Sequence, residues 1–388
     1  MECLSGSIKP SQLSWRPVAT AAVKKGRVQT KLNNCAGNIT SKSTRKDGLT
    51  YTAIIAISLM VSAPAPGHHS DAGLDMESLV TLVGTVNNFF WRNPHVYFTI
   101  EAINENAEIK EWSLQMGSTI TVSRMGWNRD TLSPGDQVSV QAHPSIDGRP
   151  YAYVRAVEKE GGLSSGEVFR EPDVTIGATS LEGKWLAKLS EIPRYPGGFD
   201  GFFIANLKLT KKGITARAAY DPLSADNPES LCIGRPTPAM IVSSTRYPIQ
   251  IQFNNDEKTI EIRSQYWDEV RTIYMDGRKH PDSNKRFASG HSIGHWSGKT
   301  LVVDTRNFLN HRSPYQIGLP SGEHKHVVER YQLIEGGTRI AVEFMLEDPE
   351  YISEPMTHSR ELIYTPQIPM SPFDCNPNAT RMFMPLSN

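Results

Sequence analysis

At 388 residues the chain is longer than one ordinary domain, so two domains are expected once any leader is set aside. Its 41 Lys and Arg balance 41 Asp and Glu, but residues 1 to 48 hold nine of the bases and only two of the acids, Glu2 and Asp47, leaving 32 bases against 39 acids in the remainder. That acidic remainder has no Lys/Arg stripe of the kind phosphate-backbone binding requires, which drops nucleic acid as a partner.

Residues 1–67 read as leader and signal peptide. The basic cluster Lys42, Arg45, Lys46 precedes an uncharged run, residues 49–67, that is apolar and then ends in small residues, the order of a secretory signal. Cleavage after Gly67 places Ala65 and Gly67 at the small-residue positions and makes His68 the first mature residue, whereas cleavage after Ala65 would put Pro66 just past the scissile bond. The apolar run is short for a bilayer span, so no stable membrane span is expected after cleavage; an uncleaved anchor is the competing reading. A periplasmic or secreted location follows from the signal. Cys3 and Cys35 leave with the leader, and Cys232 and Cys375 remain as an even pair that is either a disulfide or two buried thiols.

From residue 68 to 160 the chain reads as a small five-stranded β-barrel or sandwich. Leu79–Phe90, His95–Ile100, Lys110–Met116 and Gln137–Ala142 are β-branched or alternating, with Asn-Pro, Pro-Gly-Asp and Asp-Gly-Arg between them, and a short helix fits Thr119–Met125. Residues 161–180, rich in Gly, Ser and charge, read as a linker. Residues 181–388 alternate strongly. In Pro248–Phe253, Ile249, Ile251 and Phe253 share one face and Gln250 and Gln252 the other, and Lys258–Arg263, Tyr266–Met275, Leu301–Thr305, Val327–Leu333 and Arg339–Leu346 repeat the pattern. An all-β architecture follows, the second domain being a larger antiparallel, lipocalin-like β-barrel that closes to hide its edges; Gly183-Lys-Trp185 is similar to a lipocalin opening.

The motifs His68-His69-Ser70, Trp91-Arg-Asn-Pro-His95, Gly126-Trp127 and Leu132-Ser-Pro-Gly-Asp136 resemble those of a family of short exported bacterial proteins of uncharacterised function, over residues 68–157. DGRKHP, GHSIGHW, KTLVVDT and HVVERY, within residues 181–388, similarly resemble a second uncharacterised exported group. The resemblances imply fold and location and supply no catalytic residue.

Histidines carry the candidate chemistry, since imidazole is the common metal ligand and titrates near neutral pH. A free His68 would chelate through its α-amine and ring, with His69 and His95 completing a planar nitrogen set suited to copper(II); the bland alternative leaves the first two solvated and His95 capping a strand. His291 and His295, four apart, and His324 and His326, two apart, form a second set. Asp304, Arg271, Asp276 and Arg278 lie on or beside neighbouring expected strands, where carboxylates would orient imidazoles for acid/base or metal chemistry. The same residues would equally serve as structural ion pairs at a barrel rim. Gly290-His-Ser-Ile-Gly294 has nucleophile-elbow spacing, but a hairpin follows where a helix is needed, so Ser292 is not taken as a nucleophile. Trp185, Tyr195, Phe199, Phe202 and Phe203 are candidates to line a pocket for a small apolar ligand, or to pack a core.

Three functions are consistent with these residues. The first is a module binding a small, largely apolar molecule in the larger barrel. The second is an enzyme using His291, His295, His324, His326 and Asp304, with Arg271, Asp276, Arg278 and Trp185 at the ligand. The third is an envelope interaction protein without a small ligand, which requires a filled barrel and an exposed apolar patch.

Overall fold

The computed structural model describes residues 73–103, 109–160, 163–166, 174, 176–188, 198–224 and 227–381. The leader, His68 and His69, Tyr195 and most of the expected linker lie outside these. Two β-barrels follow one another, both within one compact unit spanning Ser62–Asn388.

The smaller barrel is built from β1 (Val80–Phe90), β2 (Tyr97–Ile103), β3 (Ile109–Gln115), β4 (Gln137–Pro144) and β5 (Tyr151–Lys159). The sheet order β3-β2-β1-β4-β5 closes through a parallel β3–β5 pairing, with α1 (Thr119–Ser123) between β3 and β4, an OB-type topology. Alternation drives closure: Val86, Phe98, Ile100, Leu114, Val138, Val140, Val154 and Val157 fill one core, and Trp127 seals it beside Phe89. Ser118 caps α1, its hydroxyl accepting from the Thr121 amide at 3.2 Å. A short β6 (Leu163–Gly166), inside the expected linker, pairs with β5.

The larger barrel has nine strands in sequential order: β7 (Gly183–Ala187), β8 (Ile249–Asn254), β9 (Thr259–Ser264), β10 (Val270–Tyr274), β11 (His291–Ser297), β12 (Thr300–Arg306), β13 (His326–Ile334), β14 (Arg339–Glu347) and β15 (Met356–Tyr364). An odd number of strands cannot alternate direction all the way round, so one neighbouring pair must be parallel. That pair is β10–β11, with Ile273 beside Ser292, and every other pairing is antiparallel. A parallel pair needs a crossover, and residues 275–290 run back along the outside of the barrel to make it. Gly294 permits the close approach, because a Cβ there would stand 2.7 Å from Ile273 Cγ2 and 2.6 Å from Met275 Sδ.

The lumen is packed. Trp185, Ile249, Ile251, Ile260, Ile262, Ile273, Leu301, Val303, Tyr331, Ile340, Val342 and Leu362 meet inside it. Between β7 and β8 the chain leaves the barrel to form α2 (Gly198–Asn206), α3 (Lys211–Ala218) and α4 (Ala239–Val242), helices the strand periodicity did not foreshadow. Met240 and Ile241 of α4 enter the core as a plug, and Arg360 Nη1 donates to the carbonyls of Ile241 at 3.1 Å and Val242 at 2.8 Å. The one lumenal ion pair described, Arg271 with Glu329, is completed by hydroxyls donated from Thr237 and Tyr331.

The expected strand at Tyr266–Met275 is shorter in fact: Tyr266–Asp268 form a 3-10 turn in which Trp267 and Asp268 have positive φ, and the strand begins at Val270. Cys232 and Cys375 form a disulfide, with sulfurs 1.99 Å apart and 143 residues between them. It holds the C-terminal segment against both barrels, since Asn376 N donates to Asn93 O at 3.1 Å and the Asn93 side-chain amide donates to Phe373 O. Tyr247 Oη to Ser118 Oγ at 3.0 Å adds a further link between the barrels.

Candidate functional site

Side chains on β11, β12 and β13 that point inward, Ser292, Val303, Thr305 and Val327, are buried in the lumen or its cap, so their neighbours His291, Asp304 and His326 face outward. The crossover lays His280 over this outer face. The result is a continuous hydrogen-bonded chain. His280 Nδ1 is 3.0 Å from His291 Nδ1, and His280 Nε2 is 2.9 Å from Asp304 Oδ1. Asp304 Oδ2 is 3.0 Å from His326 Nε2, whose other nitrogen, Nδ1, is 3.1 Å from Glu347 Oε2. Arg306 Nε also donates to Asp304, at 3.1 Å. The motifs DGRKHP, GHSIGHW, KTLVVDT and HVVERY each contribute one member: His280, His291, Asp304 and His326.

Protonation follows from what each partner can do. Carboxylates accept only, so His326, facing one at each nitrogen, donates through both and is an imidazolium; its pKa is raised by the bond to Asp304. Burial alone would raise Asp304, but the hydrogen bonds from His326 and Arg306 and their charges outweigh it and hold the carboxyl well below the usual range. His291 moves the other way: burial, then the neighbouring His280 and Arg278, lower its pKa. Its ring stacks on Tyr274 at 5.1 Å and 24°, and the Arg278 guanidinium lies 3.8 Å from the centre of the same tyrosine ring. Arg278 is in turn held by both oxygens of Asp276.

A second feature lies at the start of β10 and β11. A groove of about 440 Å³ is lined by Pro228, Leu231, Ile233, Gly234, Trp267, Glu269, Val270, Ala288, Ser289, Leu309 and three residues after it. Leu231, Ile233, Val270 and Leu309 are 46%, 44%, 44% and 48% exposed, a concentration of large apolar surface at one place. At its base Ser289 Oγ donates to Glu269 Oε1 at 3.1 Å, while Glu269 Oε2 has no hydrogen-bond partner. Burial pushes the Glu269 pKa up to about 7, against the opposing effects of the Ser289 hydrogen bond and the charges of Arg271, Lys325 and Arg235. His311 stiffens the wall: Ser313 N donates to its Nδ1 at 3.1 Å, so Nε2 donates to Gly234 O at 2.9 Å, and burial takes its pKa down to about 4. The disulfided Cys232 sits between the rim residues Leu231 and Ile233.

Several residues singled out in the sequence do other work. Trp185 is fully buried against Tyr364 and donates its indole N–H to Leu181 O at 2.9 Å, so it is core, not a ligand contact. Arg271 faces the lumen and is consumed by Glu329. His295 and His324 are exposed and apart from the histidine chain; β13 begins only at His326, so the expected shared strand face of His324 and His326 does not form. Ser292 faces inward, its hydroxyl 2.9 Å from that of Thr305. Phe199 stacks on the Arg235 guanidinium, and Phe202 and Phe203 pack in a core cluster over the barrel end. His95 is partly buried, with Nδ1 donating to Met116 O at 3.0 Å and a pKa brought down to about 4 by burial, which leaves Nε2 as its one nitrogen open to a metal. Among the described residues no group of three or more His, Cys, Asp and Glu side chains is arranged to hold a metal ion. His280 and Glu269 were not anticipated as site residues. His280 was visible only as a letter in the DGRKHP motif, and Glu269 had no sequence signal at all.

A family model for a family of unknown function, DUF6152, matches residues 56–153, a range that ends before the larger barrel. No curated protein matches the chain. Among solved structures, the mitochondrial single-stranded DNA binding protein Rim1 of S. cerevisiae is similar at 10% identity, over 21% of this chain and 92% of that one, with a TM-score of 0.18, too low to carry an argument.

Proposed function

We propose that this is an exported envelope protein that binds a small, largely apolar molecule carrying a hydrogen-bond donor, in the groove beside the end of the larger barrel. The observation that carries the reading is the pairing of four exposed apolar side chains with a buried carboxyl whose Oε2 has no partner, in a groove of about 440 Å³. That volume and balance of surfaces fit a small-molecule site, in which apolar walls supply affinity and a few polar atoms fix orientation. The packed lumen supports the groove over the barrel interior as the place of binding.

Export belongs to the same reading, with a signal peptide ending at Gly67, a mature chain starting at His68 and a periplasmic or secreted location; the disulfide fits an oxidising compartment. The terminal metal site remains part of it as well, with copper(II) held by His68, His69 and Nε2 of His95. Nucleic acid has no part in it, on the acidic balance of the chain after residue 48.

The test uses the neutral fluorescent amine N-phenyl-1-naphthylamine and the mature protein. Saturable binding that is lost in both Leu309→Glu and Val270→Glu is expected. Binding unchanged in both variants would move the site elsewhere, and no binding at all would favour a protein-interaction surface.

A further inference from the structure

We propose that Asp304, His280 and His291 form an acid/base relay whose working end is Nε2 of His291, poised to activate water toward the carbonyl of a small ester. None of these residues lines the groove, so the proposal stands apart from the binding reading.

The direction of the relay follows from hydrogen-bond roles. Asp304 is held ionised by three donors and can only accept, so His280 turns its Nε2–H toward it. With one proton on His280, its Nδ1 is then an acceptor, and the 3.0 Å contact makes His291 the donor through Nδ1–H. His291 is left with an in-plane lone pair on Nε2, the form a general base needs, oriented by His280 and backed by a carboxylate one imidazole further away. The lowered pKa of His291 keeps it unprotonated at neutral pH. Phe287, 5.6 Å from the His291 ring, and Tyr274 hold it from either side. Nη1 of Arg278, outside the hydrogen bonds to Asp276, supplies a cation for the oxyanion that forms at the carbonyl.

In the step itself, Nε2 of His291 takes a proton from water as the water oxygen bonds to the carbonyl carbon. The carbon–oxygen bond to the leaving alkoxide then breaks, and the proton returns from Nε2 to that alkoxide. Ester and water give acid and alcohol. His291 is the catalytic residue here; His280 and Asp304 are positioning residues that raise its basicity once it carries the proton.

A structural hydrogen-bond chain predicts something different: a ring only 7% exposed should react more slowly than the exposed His295 and His324. The mature, disulfide-bonded protein is treated with diethyl pyrocarbonate, and the rate of carbethoxylation at each histidine is read by mass spectrometry between pH 5 and 8. His291 is expected to react faster than His295 and His324, with a midpoint below 6.5, and to slow by about a hundredfold in Asp304→Asn. In parallel, p-nitrophenyl acetate is expected to be hydrolysed with the same midpoint and to lose that activity in His291→Gln. A His291 rate no greater than that of His295 overturns the proposal, as does an unchanged rate in Asp304→Asn or His280→Gln. Far-ultraviolet dichroism identifies any variant that fails to fold; for these Tyr274→Leu, which removes the stacked ring but none of the hydrogen bonds, replaces it and is expected to retain the Asp304-dependent rate.

Discussion

Arg271 on β10 donates through Nη2 to Oε1 of Glu329 on β13 at 3.2 Å, and both side chains are 0% exposed inside the larger barrel. Tyr331 Oη joins them, accepting from Arg271 Nη2 at 3.1 Å and donating to Glu329 Oε1 at 2.9 Å. Two charges in a lumen lined by isoleucine, leucine and valine are tolerable only because each answers the other. Glu329→Ala therefore leaves a guanidinium buried without a counter-charge and is expected to cost about 3–5 kcal/mol in urea unfolding. Replacing both, Arg271→Met with Glu329→Leu, should restore most of that loss; a single variant costing under about 1 kcal/mol would show water reaching the lumen.

Glu269 makes stability depend on pH in the opposite sense from most carboxylates. Its pKa rises from 4.5 in the unfolded chain to about 7 in the fold, so the folded state holds the proton more tightly and stability falls as pH climbs between these values. The full penalty, about 3 kcal/mol, is present above pH 7. Glu269→Gln keeps an acceptor for Ser289 and is expected to be more stable than the parent at pH 8 but not at pH 4. Equal pH slopes for the two proteins, measured by urea unfolding, would place the carboxylate in water.

His326 behaves as a base that gains partners. Its raised pKa gives stability that is complete below the unfolded value of 6.5 and is lost as pH rises through the higher folded value. His326→Gln should remove that part of the alkaline loss. Nuclear magnetic resonance titration of His326 checks the sign directly: a midpoint at or below 6.5 would contradict the imidazolium between Asp304 and Glu347.

Reduction of the disulfide should act in two places. Cross-linking residues 143 apart limits the unfolded chain by at most about 5 kcal/mol in the loop-entropy account. Locally, Cys232 holds the rim between Leu231 and Ile233, and Cys375 adjoins the segment bonded to Asn93. Cys232→Ser with Cys375→Ser is expected to lower the unfolding midpoint and to weaken N-phenyl-1-naphthylamine binding. Loss of stability with binding intact would separate the groove from the staple.

The two barrels were legible in the sequence because a strand with one buried face writes its alternation into the chain. Ile249, Ile251 and Phe253, or Val327, Glu329 and Tyr331, need only local spacing to show which side faces in. The even cysteine pair was legible for a similar reason, since few residues competed to be its partner. The plug of α4 was not, because four residues carry no helical period. Nor was Glu269, whose neighbours come from chain stretches as distant as Arg235, Ser289 and Lys325.

The histidine chain marks the boundary between the two kinds of knowledge most clearly. Sequence alone determined that His291 and His295 lie on one strand face and that Asp304 lies on a neighbouring strand. It was the tertiary structure that chose His291 and left His295 out. Nine strands force one parallel pair, the parallel pair forces residues 275–290 over the outer wall, and that crossover sets His280 against His291 and Asp304 but leaves His295, further along the strand, in solvent. Strand count is a property of the closed barrel, so no local pattern could have announced it.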